Sequence, residues 1–530
     1  MGAWRTRSCF VLLVLLLLQS SLVFPAAGYN LLILHTNDFH DRIEETNKYS
    51  GRCSAEDSAG GKCFGGAARL KYKVDELKAQ YPNTLLLDAG DQFQGTLWYY
   101  RFGGSLIATF MNRIGFDAMG LGNHEFDNGV SGLAAFVNNA TFKVLSSNIN
   151  LTNTPDLQGK IHKSATFNIG GEDIGVIGYT TSETPYISNP ETVTFNKELE
   201  SIQAEADRLT ALGVNKIIAV GHQGFTGDVE IARSLRNVDV IVGGHSNTFL
   251  YNGDPPSNED PSDGYPVVVQ TSKTGESVLV VQDYAFGKYL GNLHLTFDDE
   301  GKVTNFSGNP ILLDSSVPQD SEIETLIESY LPTINGLQTE KISYSHVFLE
   351  GDRKVCRIQE CNLGNLIADA MLKQNLRHSD SQYWSDVGIA VMNSGGIRAS
   401  LPIGDITYGD AIKVQPFRNT IDIIEVTGES VLKILERCAS GWTTDEDNLF
   451  GGFLQVAGMQ IVYDMTKQVG SRVVDVQMIC AKCYIPQFQP LNRTEVYQIL
   501  INSFLADGGD GYTELPSVIL KRHIIGISKQ

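Results

Sequence analysis

The stretch Leu31-Leu-Ile-Leu-His-Thr-Asn-Asp-Phe-His40 reads as a buried strand that runs out onto metal-ligand side chains. Four consecutive apolar residues fit a strand covered on both faces. Asp38 and His40 stand two residues apart, so an extended backbone aims both to one side. Four further runs end the same way. Thr84-Leu-Leu-Leu-Asp-Ala-Gly-Asp91 delivers Asp91, and Gly122-Asn-His-Glu-Phe-Asp127 supplies Asn123, His124 and Asp127. Ile217-Ile-Ala-Val-Gly-His222 and Val240-Ile-Val-Gly-Gly-His245 each finish on a histidine. Singly, a Gly-Asp after a strand also reads as a helix N-cap, and a lone histidine as a packed residue. Ligands in open α/β sheets gather at the carboxyl ends of strands, so five such ends in one domain predict one shared metal site.

Outward from these runs, short β-branched or leucine-rich segments alternate with turns and helical stretches. Strands are expected at Leu31–His35, Thr84–Leu87, Lys143–Ser146, Ile174–Gly178, Lys216–Val220 and Val238–Val242, with amphipathic helices such as Ala67–Gln80 and Leu199–Leu212 between them. The alternation predicts a layered α/β domain over residues 29–315. Residues 316–339 are acidic and helical in period, which predicts a linking helix. From 340 to 530 strands return with new motifs, Asn393-Ser-Gly-Gly-Ile-Arg398 and Gly508-Gly-Asp-Gly511 among them, and a second α/β domain is expected.

Arg5 and Arg7 ahead of the apolar run Cys9–Leu18, followed by Ala26, Ala27 and Gly28, read as a secretory leader over residues 1–28. The end, Leu520-Lys-Arg-His-Ile-Ile-Gly-Ile-Ser-Lys-Gln530, has no long apolar tail, so no membrane anchor is expected and the product should be secreted. Cys53/Cys63, Cys356/Cys361 and Cys480/Cys483 are close pairs suited to disulfides in an oxidising compartment, and Cys438 is left over. Sequons stand at Asn139, Asn150, Asn305 and Asn492. The formal charge is −20, or −22 once Arg5 and Arg7 leave with the leader, which argues against nucleic-acid polymers as partners. Small anionic substrates remain compatible, because metal ions reverse the field locally.

The donor set defines the metal. Mixed imidazole, carboxylate and carboxamide suits two divalent ions of borderline character, zinc or manganese first, with calcium or magnesium as alternatives. Asp91 is the natural bridge between them. Two ions roughly 3.5–4 Å apart clamp a phosphoryl group and activate a water for in-line attack.

The ordered motifs Asp-Phe-His, Gly-Asp-Gln-Phe-Gln-Gly-Thr, Gly-Asn-His-Glu-Phe-Asp-Asn-Gly, Gly-His-Gln-Gly-Phe and Gly-Gly-His-Ser-Asn-Thr-Phe resemble the 5′-nucleotidase/apyrase family. That resemblance covers the mature chain. It implies a metallophosphoesterase domain built as a β-sheet sandwich flanked by helices, followed by a nucleotide-binding domain. It also implies that Asp38, His40, Asp91 and His245 hold one ion, and that Asp91, Asn123 and His222, with the neighbourhood of His245, hold the other. His124, steadied by Asp127, resembles the family's transition-state dyad.

In the second domain Phe417 and Phe504 read equally well as core, and Arg357 and Arg398 as surface cations. The resemblance implies instead that both phenylalanines sandwich a nucleobase, and that Arg357, Asn393, Arg398 and Asp510 hold the ribose and neighbouring groups. Two departures from the family pattern are Ser394, where glycine is common, and Ala368, where vertebrate members carry a cysteine. The missing anchor tail points to a secreted apyrase-like hydrolase of ATP and ADP. An AMP-selective 5′-nucleotidase is the alternative, and a non-enzymatic receptor-binding protein on the same scaffold is the third. Oligomeric state is not legible.

Overall fold

The computed structural model describes residues 28–273, 275–376, 383–417 and 419–525. Residues 1–27 of the expected leader lie outside the described residues.

The first domain holds two facing sheets. In one, the parallel strands Tyr29–Thr36, Thr84–Asp88, Ala118–Gly120 and Lys143–Leu145 lie side by side, with antiparallel Tyr289–Phe297 and Val303–Gly308 beyond the first. In the other, Glu172–Thr180, Lys216–His222, Val240–Val242 and Ser277–Val281 run parallel and antiparallel strands close both edges. The alternation of side chains along a strand explains the continuous apolar runs. Leu31 and Ile33 pack with Ile218, Val220, Val240 and Val242 between the sheets. Leu32 and Leu34 face outward onto the helices Ala67–Gln80 and Gly104–Ile114. Both faces are buried, so neither needs polar residues. The sheets approach closely at Gly120, where a Cβ would stand 2.5 Å from the Val220 carbonyl oxygen.

Because the central strands run parallel, their carboxyl ends share one rim. Asp38, Asp91, Asn123, His222 and His245 follow or end the five strands that meet there.

The linking helix spans Ser321–Thr339, shorter than the acidic pattern from 316. Its start is set by Asp320, whose carboxylate accepts from the Glu322 and Ile323 N–H groups and so caps the first turn. Ile323 and Ile334 anchor it to the first domain's core.

The second domain carries a five-stranded mixed sheet in the order Leu454–Ala457, Ile389–Asn393, Val496–Asn502, Ile421–Thr427, Lys521–Ile525. Helix Gly428–Ser440 packs on one face through Val431, Ile434 and Leu435, and helix Asn362–Leu376 on the other through Ala368 and Met371. Ile389–Asn393 and Val496–Asn502 are parallel, so their terminal asparagines meet: Asn502 Nδ2 donates to Asn393 Oδ1 at 2.7 Å. The three close cysteine pairs are disulfide-bonded, and Cys438 is free and buried.

Candidate metal centre and facing cleft

Asp91 stands at the middle of the rim. Its Oδ2 lies 2.9 Å from His222 Nε2, 3.8 Å from His124 Nε2 and 4.0 Å from His40 Nε2. Asp38 Oδ1 is 3.9 Å from both His40 Nε2 and His222 Nε2. Two overlapping ligand groups result, His40 with Asp91 and His124, and Asp91 with His222 and His245. Asp91 belongs to both, the position expected of a bridging carboxylate. The family resemblance set His245 with Asp38, His40 and Asp91, and its neighbourhood with Asn123 and His222. Here its ring stands with Asp91 and His222, Nδ1 lies 3.0 Å from Asn123 Oδ1, and only its backbone N–H reaches Asp38, at 2.8 Å.

The backbone at these ligands is held in an uncommon conformation. Asp38, His40, Asp91 and His245 have φ of 48°, 49°, 58° and 77°, the left-handed region that non-glycine residues rarely occupy. Such strain persists where the surroundings over-determine it, and it clusters at functional sites. The surroundings are visible. Glu125, buried behind the rim, accepts from the N–H groups of Asp91, Gln92, Phe93 and Gly122 at 3.0, 2.8, 3.2 and 2.7 Å. One carboxylate thereby ties the Asp91 turn to the Asn123 turn. Gly90 has φ of 93°, and a Cβ there would lie 2.4 Å from the Gly122 nitrogen, so only glycine permits this approach.

The rings are oriented from behind. His40 Nδ1 lies 2.9 Å from the carbonyls of Phe93 and Gln94, and His222 Nδ1 lies 2.7 Å from that of Ala89. Carbonyls accept only, so each Nδ1 donates and each Nε2 is left to face the centre. His222 Nε2 is fully buried and has no hydrogen bond of acceptable geometry, although Asp91 is beside it. Burial pulls His222 down, but Asp91 and Asp38 outweigh it and push the imidazole up to about 10. Burial, with His222 nearby, holds His245 down at about 3. A cluster of buried donors whose charges have only one another as solvent fits divalent cations.

His124 has a carboxylate partner of its own. Its Nδ1 lies 2.7 Å from Asp127 Oδ2, and the other oxygen of that carboxylate accepts from the Ser188 hydroxyl at 2.6 Å. Burial lowers the imidazole, yet Asp127 and Asp91 overcome it and raise it, which favours the cation.

The second domain closes over the rim. Arg398 Nη2 lies 3.0 Å from His40 Nε2, and the Phe417 ring stacks on His124 with centroids 5.6 Å apart. Asp510 has φ of 52°, accepts from Asn393 Nδ2 at 2.7 Å, and donates its N–H to the Tyr186 carbonyl of the first domain at 3.1 Å. The Phe504 ring is half-buried against Gly509, where a Cβ would lie 2.5 Å from it. Arg357 Nη1 donates to the Leu449 carbonyl at 3.1 Å while its buried Nε has no partner. Burial lowers Arg357, and Arg353 and Arg398 push it further down, whereas Asp510 opposes them. Of the six substrate-side candidates, Arg398 and Phe417 thus reach His40 and His124, and Asp510, with its partner Asn393, meets the first domain at Tyr186.

Four residues of this region escaped the sequence reading. Arg353 donates from Nη1 to the Ser246 carbonyl at 2.5 Å, across the domains and next to His245. Its spacing of four from Arg357 was the available clue, since i and i+4 share a helical face. Glu125 lay inside a motif already quoted. Tyr186 lies in the short helix Thr184–Ile187 and Ser188 caps its end, a single turn with no marker of its own in the sequence.

A rim of strand-end ligands sharing one aspartate defines a metallophosphoesterase, and residues 31–249 match the calcineurin-like phosphoesterase model. Residues 338–517 match the 5′-nucleotidase C-terminal domain. The chain is 44% identical to a human 5′-nucleotidase over 96% of its own length and 88% of the relative's. It is 45% identical to a snake venom 5′-nucleotidase of Naja atra, over 92% and 91%. The crystal structure of a 5′-nucleotidase precursor from Thermus thermophilus superposes with a TM-score of 0.86 at 38% identity, covering 94% of each chain. The chain belongs to the 5′-nucleotidase family. It is a nucleotide phosphohydrolase, and its fold implies divalent metal ions.

Proposed function

We propose that this enzyme is an extracellular 5′-nucleotidase that hydrolyses AMP to adenosine and phosphate. The observation that carries the choice is the set of relatives, named 5′-nucleotidases in vertebrates and in snake venom and 43–45% identical over at least 92% of this chain. It favours this activity over the ATP and ADP hydrolysis that the end of the sequence suggested. Extracellular placement is supported by three disulfides and by four sequon asparagines that all stand exposed. Among the described residues no helix is long and apolar enough to cross a membrane.

Asp38, His40, Asp91, Asn123, His222 and His245 would hold two divalent ions, zinc or manganese by their donors. Bound there, such ions polarise the phosphoryl group and lower the pKa of a water. The remaining steps fall to the chain. Arg398 binds phosphoryl oxygens from the opposite side, and Arg357 supports that field. Cationic His124, oriented by Asp127, stabilises charge on phosphorus and donates from Nε2 to the leaving 5′ oxygen. AMP needs that proton because its leaving group is an alkoxide. Phe417 and Phe504 stack the base, and Asp510 with Asn393 receives the ribose hydroxyls.

The test is phosphate release from AMP, ADP and ATP supplied separately, repeated after chelation and with each metal restored. Release from AMP far above the other two is expected. Comparable or faster release from ADP and ATP would return the apyrase reading.

A further inference from the structure

A small cleft of about 20 Å³, room for about one water-sized group, lies where three parts of the chain meet. Arg42, Glu44 and Trp98 line it from the first domain, Gln338 from the linking helix, and Gly409 and Lys413 from the second domain. The carboxylates here are already engaged. Glu44 Oε2 accepts from Trp98 Nε1 at 2.9 Å and from Gln338 Nε2 at 2.8 Å, and Glu45 pairs with Arg69 at 2.6 Å. Asp410, on the helix that carries Lys413, accepts from its own N-cap residue Thr407.

The cations are not. Arg42 donates from Nε to Ser50 and from Nη1 to His40, but its buried Nη2 has no partner. Lys413 is only 9% exposed, and among the described residues its Nζ has no hydrogen-bond or ion-pair partner. Burial lowers its ammonium to about 8, and Arg42 and Arg52 add to the fall while Asp410 and Glu44 oppose it. A buried guanidinium edge without a partner, with a second unpaired cation lining the same small cleft, is costly unless an acceptor stands between them.

We propose that this cleft is a binding site for a single halide ion, held between Arg42 Nη2 of the first domain and Lys413 Nζ of the second. Neither domain supplies the site alone, so the anion ties the two together in the arrangement seen here. It lies on the linking-helix side and uses none of the nucleotide-binding residues.

Bromide is the probe, because its anomalous scattering separates this cleft from the metal centre by position. Crystals of the intact metal-loaded enzyme in sodium bromide should show a peak between Arg42 and Lys413. Lys413→Gln should lose that peak. In solution, the melting temperature of the wild type should rise in sodium bromide relative to sodium gluconate at equal ionic strength, and Lys413→Gln should lose the rise. Ordered water alone in the wild-type cleft overturns the proposal, and so does a bromide peak retained in Lys413→Gln. The wild-type crystal decides even if the variant fails to fold.

Discussion

The Ser188 hydroxyl donates to Asp127 Oδ1 at 2.6 Å, on the side of the carboxylate opposite His124. Two residues earlier, in the single-turn helix Thr184–Ile187 that Ser188 caps, the Tyr186 carbonyl accepts the N–H of Asp510 from the second domain. One short segment thus touches the acid that orients His124 and the acid assigned to the ribose. Closure of the domains and placement of the dyad are joined through it.

Removal of that hydroxyl should therefore act on turnover. A hydrogen bond to a charged group is worth about 1.5–3 kcal/mol, so Ser188→Ala is expected to lower kcat roughly 10- to 100-fold with little change in KM. Ser188→Thr keeps the donor and should keep most of the rate. Steady-state kinetics on AMP with both variants checks this, and an unchanged kcat in Ser188→Ala would exclude the role.

Asp91 is the carboxylate common to both ligand groups, so its loss should remove both ions rather than one. Loss of an outer partner of a metal ligand typically costs 10–100-fold, and loss of a shared ligand should exceed about 100-fold in activity. Metal content of purified Asp91→Ala, measured by atomic emission, is expected near zero. Retention of one equivalent would show that Asp91 does not bridge.

The two phenylalanines should separate kinetically. Stacking on an aromatic side chain is worth roughly 1–3 kcal/mol per base, or roughly 5- to 150-fold in binding. Phe504 touches neither metal ligands nor the dyad, so Phe504→Ala is expected to raise KM alone. Phe417 also stacks on His124, so Phe417→Ala should raise KM and lower kcat together. A pure KM effect in both would detach Phe417 from the dyad.

Legibility in the sequence followed the range of the interaction. The helix Ala67–Gln80 and the rim strands were readable because apolar runs and ligand side chains sit within a few residues of each other. Which ligand group takes the His245 ring stayed open, because it depends on the separation of two sheets packed through residues such as Gly120 and Val220. The start of the linking helix was set too early because the acidic, periodic stretch after 320 was extended back over Ser316-Val-Pro-Gln319, which lies ahead of the Asp320 cap. Ser188 and Arg353 act through contacts more than 60 residues apart in the chain, which no local pattern carries.

Asp88 offers a test by pH. It is fully buried behind the rim and accepts from the Thr36 hydroxyl at 2.6 Å, Gln92 Nε2 at 2.7 Å and the Gly90 N–H at 3.0 Å. Burial outweighs these bonds and pushes its carboxyl from 3.8 up to about 8. The folded protein keeps this proton up to about pH 8, whereas the unfolded chain releases it near 3.8. Between those values the folded state binds more protons, so this group's contribution is full below the lower value and is lost as pH rises through the upper one. The slope reaches about 1.4 kcal/mol per pH unit. Asp88→Asn mimics the protonated form, provided that the Thr36 hydroxyl and the Gln92 amide both turn to accept from its Nδ2. Urea unfolding between pH 5 and 8 should show the variant gaining on the wild type as pH rises. Parallel curves would mean that Asp88 is already ionised in the folded enzyme.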